Sequence, residues 1–329
     1  MKTALIMGVT GGFGGAVARS LHAQGWSLRA LMRQPERLPA DFSGIEIIQG
    51  DASVYDDVAT AAEGVDVIVY GVNPGNYDWN GKAVPWLEQT AAVAEERGIT
   101  IVFPGNVYVL NPADGPIFDE SAPIAPVSVK GRIRQAQEAR LLLAAQRGAR
   151  VIILRCGDFI GADAPSTWMQ HLVKPGKQGY TVSATGNPSL PHTWAYLPDV
   201  AQVVSRLLAM GPELAAFEVC HFKGLEFSFQ ELAETVQKIS GKPVRLKKFS
   251  WAFFKMFAAF SRLFSGLLEM RYLWDQQVHL SDRKLRGLLQ QPVSYTPLDK
   301  VLPASGLVTV DKKADAGASV VVGSEVYRV

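Results

Sequence analysis

The sequence has few of the features that mark secreted, metal-binding or nucleic-acid-binding proteins. Its two cysteines, Cys156 and Cys220, lie in separate apolar segments and form no Cys-x-x-Cys pair, so nothing indicates a disulfide framework or a zinc site. No basic run exceeds two residues, and the formal net charge of +2 gives no general attraction to nucleic acid. No Gly-x-Ser-x-Gly elbow, Walker phosphate loop or metal-ligand spacing is present. We therefore expect neither a metal nor a nucleic-acid partner.

Long apolar runs are also lacking near the first residue. The apolar stretch at residues 3–7 is shorter than a signal-peptide core or a membrane span requires, so we expect a cytoplasmic protein without a membrane partner. What the chain does have is 48% hydrophobic residues over 329 positions, enough to bury one large core or two closely joined ones.

A glycine-rich turn follows the first predicted strand, residues 3–7. Its glycines at positions 8, 11 and 14 lie three residues apart, and an amphipathic helix is predicted from about Phe13 to Gln24. Glycine lets the backbone approach a pyrophosphate without a Cβ in the way, and the helix N-terminus offers free N–H groups and a positive dipole end. The segment therefore predicts a dinucleotide site. The predicted cofactor contacts here are Gly8, Thr10, Gly11, Gly12, Phe13 and Gly14.

The end of the second predicted strand, residues 27–31, indicates which dinucleotide is preferred. A site for NAD usually carries Asp or Glu here to hold the ribose 2′-hydroxyl, whereas this chain has Arg33, with Arg37 nearby. A guanidinium can pair with a 2′-phosphate through its planar fork of donors. We therefore predict NADP as the cofactor, with NAD possible, and a solvated surface arginine as the alternative.

Strand-like and helical segments alternate through the first half of the chain. The alternation is typical of a parallel sheet with helices on both faces, so we predict an α/β fold, a Rossmann-type doubly wound sheet with a smaller interleaved C-terminal substrate region. The predicted strands cover residues 3–7, 27–31, 45–49, 65–70, 99–103 and 151–154, and the helices cover 54–62, 82–97 and 131–146.

After residue 154 the pattern becomes rich in glycine and proline. We predict an NAD(P)-binding domain at residues 1–155, a substrate-binding region at 156–306 and a tail at 307–329, poorly ordered or an edge strand. Residues 199–222 are predicted to return to the sheet.

Two helix starts in this second half carry recognisable signals. Asp199 follows Pro198 and is expected to be the N-cap of its helix. Residues 228–231 form a predicted capping box, which opens a helix ending at Gly241.

Residues 251–274 form an apolar, aromatic-rich stretch predicted to be helical. Phe254, Phe257, Phe264 and Leu268 would share approximately one face of it. Three interpretations stay open: a packed lid or core helix, a homodimer contact, or a helix on a membrane surface.

Three further segments occur together with the glycine turn. Asp51 follows the third predicted strand, residues 155–161 follow the sixth, and residues 192–200 lead into a later helix. Over about residues 1–300, the chain resembles the extended short-chain dehydrogenase/reductase superfamily, in its NAD-dependent epimerase/dehydratase branch. The resemblance implies that Asp51 and Ala52 lie beside the adenine, that Gly71 and Asn73 lie along the cofactor, and that residues 156–196 surround the substrate.

The catalytic positions of that family are where this chain differs. The family uses a Ser or Thr after the fifth strand and a Tyr-x-x-x-Lys pair at the head of the next long helix. Alignment puts Pro104, Lys130 and Arg134 at those three positions, and no tyrosine lies between Tyr108 and Tyr180 to restore the pair.

Two roles for the replacements stay open. Lys130 could act as a substitute acid/base if burial beside Arg134 favours its neutral amine. Alternatively, both residues bind cofactor phosphates or a substrate carboxylate, or lie on a solvated helix end. Tyr108 is the third catalytic candidate, with core packing as its alternative.

The remaining candidates concern the substrate. His192, Trp194 and Tyr196 lie in a loop predicted to face the cleft, where they could stack on or hydrogen-bond a ligand. Asn106 and Asn73 follow central strands and could bind a ligand or cap a turn. We expect an NADP-dependent oxidoreductase or epimerase-like enzyme for a small polar substrate, a nucleotide sugar by analogy only. A non-catalytic NADP sensor is the alternative.

Overall fold

A computed structural model describes residues 2–162, 164, 167–258 and 261–311. The strands, in chain order, are β1 (Thr3–Met7), β2 (Ser27–Met32), β3 (Glu46–Gln49), β4 (Val67–Tyr70), β5 (Thr100–Asn106), β6 (Ile117–Phe118), β7 (Arg150–Cys156), β8 (Asp158–Ile160), β9 (Val173–Gly176), β10 (Gly179–Ala184), β11 (His192–Tyr196), β12 (Phe217–His221), β13 (Leu225–Phe227), β14 (Val244–Lys248) and β15 (His279–Leu280). The helices are α1 (Gly12–Ala23), α2 (Tyr55–Ala61), α3 (Ala83–Arg97), α4 (Val129–Gln146), α5 (Met169–Leu172), α6 (Leu197–Met210), α7 (Phe229–Ser240), α8 (Trp251–Phe257), α9 (Arg262–Glu269), α10 (Arg283–Leu289) and α11 (Leu298–Ala304).

The central sheet is parallel throughout and has the strand order β12-β7-β5-β4-β1-β2-β3. Its order reverses between β1 and β4, so the crevice at the carboxyl ends of these two strands is the place where such sheets bind ligands. The predicted α/β Rossmann-type fold is confirmed, and β12 lies at the edge of this sheet beside β7.

Both faces of the sheet are covered, which explains why its strands read as continuous apolar runs. On one face, α1 and α6 pack together over residues that include Ile6 and Val69. On the other, α2, α3 and α4 cover residues that include Leu5 and Ile68. Adjacent residues of one strand therefore belong to opposite cores.

The second half of the chain adds smaller sheets at the carboxyl edge of the main one. These have the orders β14-β10-β9, β13-β11-β8 and β15-β6. A third core of aromatic and aliphatic side chains fills this region, with Trp168, Trp194 and Trp274 all nearly buried. The capping box of Ser228 and Glu231 opens α7, and Gly241 ends that helix in the left-handed conformation, as predicted.

The apolar stretch at residues 251–274 is helical, as predicted, but it is divided into separate helices. The described residues form α8, then α9, then a 3₁₀ turn at Met270–Trp274. The second helix begins separately because the Ser261 hydroxyl accepts a hydrogen bond from the Phe264 N–H, at 3.5 Å, and so caps a new N-terminus.

The predicted tail begins inside the folded region. Leu307 and Val308 are buried in the third core, and the Thr309 N–H donates to the Tyr180 hydroxyl at 3.0 Å. The rest of that prediction, residues 312–329, lies outside the described residues.

Among the described helices, none is both long and apolar enough to cross a membrane.

Candidate functional site

The glycine turn between β1 and α1 brings three backbone segments into close contact. Gly8 has a φ of +83°, and a Cβ there would lie 2.5 Å from the carbonyl oxygen of Gly71, at the end of β4. A Cβ on Gly14 would collide with the carbonyl oxygen of Gly8. The turn therefore requires glycine at both positions, which leaves a smooth backbone cradle.

The first turn of α1 opens this cradle to a ligand. Its N-cap is Gly11, and no side chain caps the helix in the part of the chain that the structure describes. The first N–H groups of a helix lack intrahelical partners and carry the positive end of the dipole, so they bind phosphate oxygens well. A dinucleotide pyrophosphate fits these residues.

A cavity of about 700 Å³ extends from the cradle along the carboxyl edge of β1, β2 and β4. Its volume is within the usual range for sites that enclose a small molecule. The predicted cofactor residues that line it are Gly8, Thr10, Gly11, Arg33, Asp51, Ala52, Gly71 and Asn73. Gly12, Phe13 and Gly14 shape the turn from behind, and the buried Phe13 ring stacks on Phe159.

Basic side chains lie at one end of the cavity. Arg33 and Arg37 both line it just after β2, and the Arg33 side chain is 70% exposed. The Arg33 guanidinium lies 3.9 Å from the Asp51 carboxylate. Asp51 also accepts hydrogen bonds from the Ser53 N–H and hydroxyl, both at 2.8 Å, so it shapes the loop after β3 as well as lining the cavity.

Comparison with protein families decides the general nature of this site. A family model described as NAD(P)H-binding matches residues 8–189, more than half of the chain. The chain belongs to the NAD(P)H-binding family. A search of curated proteins gives no match.

Solved structures similar to this NAD(P)H-binding protein include nucleotide-sugar enzymes. MoeE5 in complex with UDP-glucuronic acid and NAD has a TM-score of 0.72 and 18% identity, covering 92% of this chain and 97% of that one. UDP-glucuronic acid 4-epimerase from Bacillus cereus has a TM-score of 0.70 and 16% identity, covering 93% and 98%. The Bordetella bronchiseptica enzyme WbmH with NAD+ has a TM-score of 0.68 and 16% identity, covering 93% and 97%. At these identities the likeness establishes the fold.

The three catalytic candidates lie beside the cavity rather than in its lining. Lys130 is 4% exposed, and its ammonium donates to Glu269 Oε2 at 2.7 Å. Arg134 lies with its guanidinium 4.7 Å from the Trp79 ring centre and 5.1 Å from that of Phe103. Desolvation by this burial lowers the pKa of Arg134, and the nearby Tyr108 and Glu138 oppose the shift. Tyr108 is itself buried, with its ring stacked on Trp79 at 6.2 Å.

The predicted substrate residues of β11 pack mainly in the third core. Trp194 is 1% exposed and stacks on Phe227 with ring centres 5.6 Å apart. His192 stacks on Trp274 at 4.1 Å, and its Nε2 lies 2.7 Å from an Asp158 carboxylate oxygen. None of these residues lines the cavity described above.

Tyr196 and Asn106 are the other two substrate candidates. Tyr196 is half-buried against the third core, and desolvation raises the pKa of its phenol. The Asn106 side chain caps a turn, since its Oδ1 accepts a hydrogen bond from the Tyr108 N–H at 3.1 Å. Neither residue lines the cavity.

The expected N-cap role of Asp199 is wrong. The N-cap of α6 is Tyr196, and Asp199 lies inside the first turn. Its carboxylate instead accepts two hydrogen bonds from Thr296, from the N–H at 2.7 Å and the hydroxyl at 2.8 Å. Burial raises the pKa of Asp199, and these two bonds oppose the increase. Asp199 therefore ties the C-terminal segment to α6.

The far side of the cavity is not predicted by the sequence patterns. Side chains from the second half of the chain form this side, which we call the apolar wall: Trp168, Phe249, Phe254, Leu263, Phe264 and Leu267. His171 lines the cavity beside them. The aromatic stretch at residues 251–274 was the available signal, but which of its faces meets the cofactor edge depends on tertiary packing.

Ion pairs attach α9 to the cofactor-binding half at both of its ends. Arg262, the first residue of α9, donates to Asp78 at 2.8 Å, and Asp78 also pairs with Lys82 at 2.6 Å. Glu269, the last residue, pairs with Lys130 in the first turn of α4.

Within the described residues, no group of His, Cys, Asp and Glu could hold a metal ion.

Proposed function

We propose that this chain is an NADP(H)-dependent oxidoreductase. The observation that carries the proposal is the position of Arg33 and Arg37 at one end of the cavity that also contains the glycine cradle. Two guanidinium groups at that end supply the charge-assisted hydrogen bonds that a 2′-phosphate needs and that NAD, which lacks this phosphate, does not use.

The chain's own residues would hold the cofactor along the edge of the sheet. The N–H groups after Gly11 would bind the pyrophosphate, and Arg33 would bind the 2′-phosphate. Asp51 and Ala52 would lie beside the adenine, and Gly71 and Asn73 would follow the cofactor along β4. When bound, NADPH supplies a hydride for reduction.

Proton transfer is the step at which this chain differs from the dehydrogenase pattern. Lys130 remains the candidate acid/base, but its ammonium is engaged by Glu269 at 2.7 Å and lies outside the cavity lining. Arg134 and Tyr108 form a buried cluster with Trp79 that would position the neighbouring loop after β5. His192, Trp194, Tyr196 and Asn106 would support the substrate region from behind.

A non-catalytic NADP sensor is the second candidate function. It is favoured by one observation: Tyr108, Lys130 and Arg134 all lie outside the cavity lining. In that case, cofactor binding would be transmitted to a partner through α9, which the Arg262–Asp78 pair links to the loop after β4.

Two free buried thiols support a cytoplasmic location for either function.

The deciding experiment is a titration of the purified protein with NADPH and with NADH, followed by tryptophan fluorescence and thermal melting. Saturable binding selective for NADPH supports the proposal and justifies a substrate screen. Equal binding of both cofactors contradicts the role of Arg33. Absence of binding to either would reject the enzyme and the sensor together.

A further inference from the structure

The cavity corresponds to one half of a dinucleotide site. Its cofactor side includes the glycine turn, the end of β2 and the loops after β2, β3 and β4, whereas no described residue of β5, α4 or β7 lines it. A Rossmann-type sheet binds one mononucleotide against each of its halves, and the adenosine ribose lies at the end of the second strand. The cavity is therefore the adenosine end of the site rather than the nicotinamide end.

The covalent structure of NADP fixes where its base lies relative to these residues. The adenosine ribose carries the pyrophosphate on C5′, the extra phosphate on C2′ and the adenine on C1′, which is bonded to C2′. With the pyrophosphate at the N-terminus of α1 and the 2′-phosphate at Arg33, the adenine must lie close to Arg33 and inside the same cavity.

The apolar wall closes this end of the cavity from the second half of the chain. It presents four aromatic and two leucine side chains. The ring centres of Phe249 and Phe254 are 4.9 Å apart, and those of Phe254 and Phe264 are 5.1 Å apart, so the rings form a continuous surface. All three phenylalanines are only partly buried. A flat group that covers such a surface removes apolar area from water and gains from stacking.

We propose that the apolar wall is the adenine-binding surface of this protein, with the Phe254 and Phe264 rings against the base and the loop after β3 on its opposite side. The inference rests on the proposed function, and it gives α8 and α9 a role in binding the cofactor. Adenine is flat and uncharged, so its faces suit the wall while its nitrogen edge needs hydrogen bonds. His171 and Asn73, which both line the cavity, carry side chains that can donate and accept them.

Ion pairs hold the wall over the base. Arg262 and Glu269, at the two ends of α9, pair with Asp78 and Lys130. Phe264 lies two positions after Arg262, and Asp78 follows the loop after β4 that lines the cavity, so this ring is next to an anchored end of the helix. A surface fixed in this way binds the base without a large ordering cost.

The test is calorimetric titration of the parent and of Phe264→Ala with NADPH, NADH and ADP. ADP carries the adenine but neither the nicotinamide nor the 2′-phosphate. Phe264→Ala should weaken the binding of all three on the order of tenfold and by similar factors, because the ring that is removed stacks on the base that all three share. Met256→Ala, on the neighbouring α8, 62% exposed and outside the lining, should leave all three affinities unchanged.

The loss of affinity should appear mainly as faster release, since related complexes differ more in dissociation than in association. Stopped-flow displacement of NADPH measures this rate. Phe264→Leu serves in case the alanine variant does not fold, because leucine keeps apolar volume without a ring. It should weaken ADP binding by about threefold.

Three results would overturn the proposal. Weaker binding of NADPH and NADH with unchanged binding of ADP would assign the wall to the nicotinamide half. Failure of ADP to bind the parent would exclude an adenine site of this kind. Parent-like affinities for all three nucleotides in both Phe264 variants would mean that the wall does not contact the cofactor.

The proposed function can fail separately. Equal affinity of the parent for NADPH and NADH, with ADP binding that is weakened by Phe264→Ala, would reject the role of Arg33 and keep the adenine-binding wall. Binding selective for NADPH and unaffected by Phe264→Ala would keep the NADP(H)-dependent oxidoreductase and reject the wall.

Discussion

Lys130 gives two hydrogen bonds to the single carboxylate of Glu269, from its backbone N–H at 2.8 Å and from its ammonium at 2.7 Å. The two residues are 139 positions apart, so this contact joins the start of α4 to the end of α9. Glu269→Gln should lower the free energy of unfolding by roughly 1–3 kcal/mol, because the mostly buried ammonium loses its carboxylate. Urea denaturation measures this, with exposed Glu213→Gln as the control, and equal stability of the two variants would contradict it.

The same pair allows a direct test of Lys130 as an acid/base. If Lys130 transfers a proton, Lys130→Met should abolish cofactor-dependent turnover while NADPH affinity stays unchanged, and Glu269→Gln should retain turnover. If Lys130 only positions α9, both variants should reduce turnover to a similar degree. An unaltered rate in Lys130→Met would end the acid/base hypothesis.

Arg33→Asp should change the cofactor preference. Loss of a charge-assisted contact to the 2′-phosphate should weaken NADPH binding by about 1.5–3 kcal/mol and affect NADH binding much less. Fluorescence titration of both cofactors measures the difference. Arg29→Ala is a suitable comparison, since Arg29 pairs with Glu46 outside the cavity lining. Equal losses for NADPH and NADH would remove Arg33 from the phosphate site.

Two glycine-to-alanine substitutions should have opposite effects on stability. Gly14→Ala places a Cβ against the Gly8 carbonyl, where only backbone movement can relieve the clash, so we expect a large fall in melting temperature and in NADPH affinity. Gly287→Ala lies in α10 with nothing within 4 Å of the added Cβ, and it should stabilise the protein by roughly 0.5–1 kcal/mol. Thermal melting of the two variants measures both effects. A Gly14→Ala variant with the parent's melting temperature would contradict the close packing of the turn.

His221 should make the protein sensitive to acid. It is 1% exposed, and desolvation together with the nearby Arg155 lowers its pKa from 6.5 to about 4. In the unfolded chain, His221 is therefore protonated below pH 6.5, whereas in the folded chain it is protonated only below about pH 4. The stabilisation by neutral His221 is present above pH 6.5 and is lost as the pH falls through this interval. Each pH unit within it lowers the free energy of unfolding by on the order of 1.4 kcal/mol.

His221→Asn tests the effect while keeping a donor for the Phe118 carbonyl oxygen, which lies 3.2 Å from His221 Nδ1. The unfolding free energy of the variant should fall less between pH 7 and pH 4.5 than that of the parent. Parallel declines would show that His221 does not control acid stability.

Local signals in the sequence were sufficient for the parts of the fold that depend on short-range physics. The glycine turn, the central strands and the Ser228 capping box each need only neighbouring residues, because strain, apolar periodicity and a side chain three positions away define them. The cofactor end of the cavity follows from these elements, since the carboxyl ends of adjacent parallel strands meet at one edge.

The packing of the second half could not be predicted in the same way. Trp194 and Phe264 are both aromatic residues in the second half of the chain, yet one is buried in the core and the other lines the cavity. Asp199 follows a proline at a helix start, but its partner is Thr296, almost one hundred residues later. Such choices depend on which distant segments pack together, and no local pattern encodes them.

The edge position of β12 has a consequence during synthesis. Residues 217–221 form the strand beside β7, although 60 residues, which include strands of the smaller sheets and α6, separate the two strands in the chain. A nascent chain that has reached only residue 155 would leave the apolar, unpaired edge of β7 open to other chains. We therefore expect that the nucleotide-binding half cannot be excised at that point, because β12 must be synthesised before this sheet edge is protected.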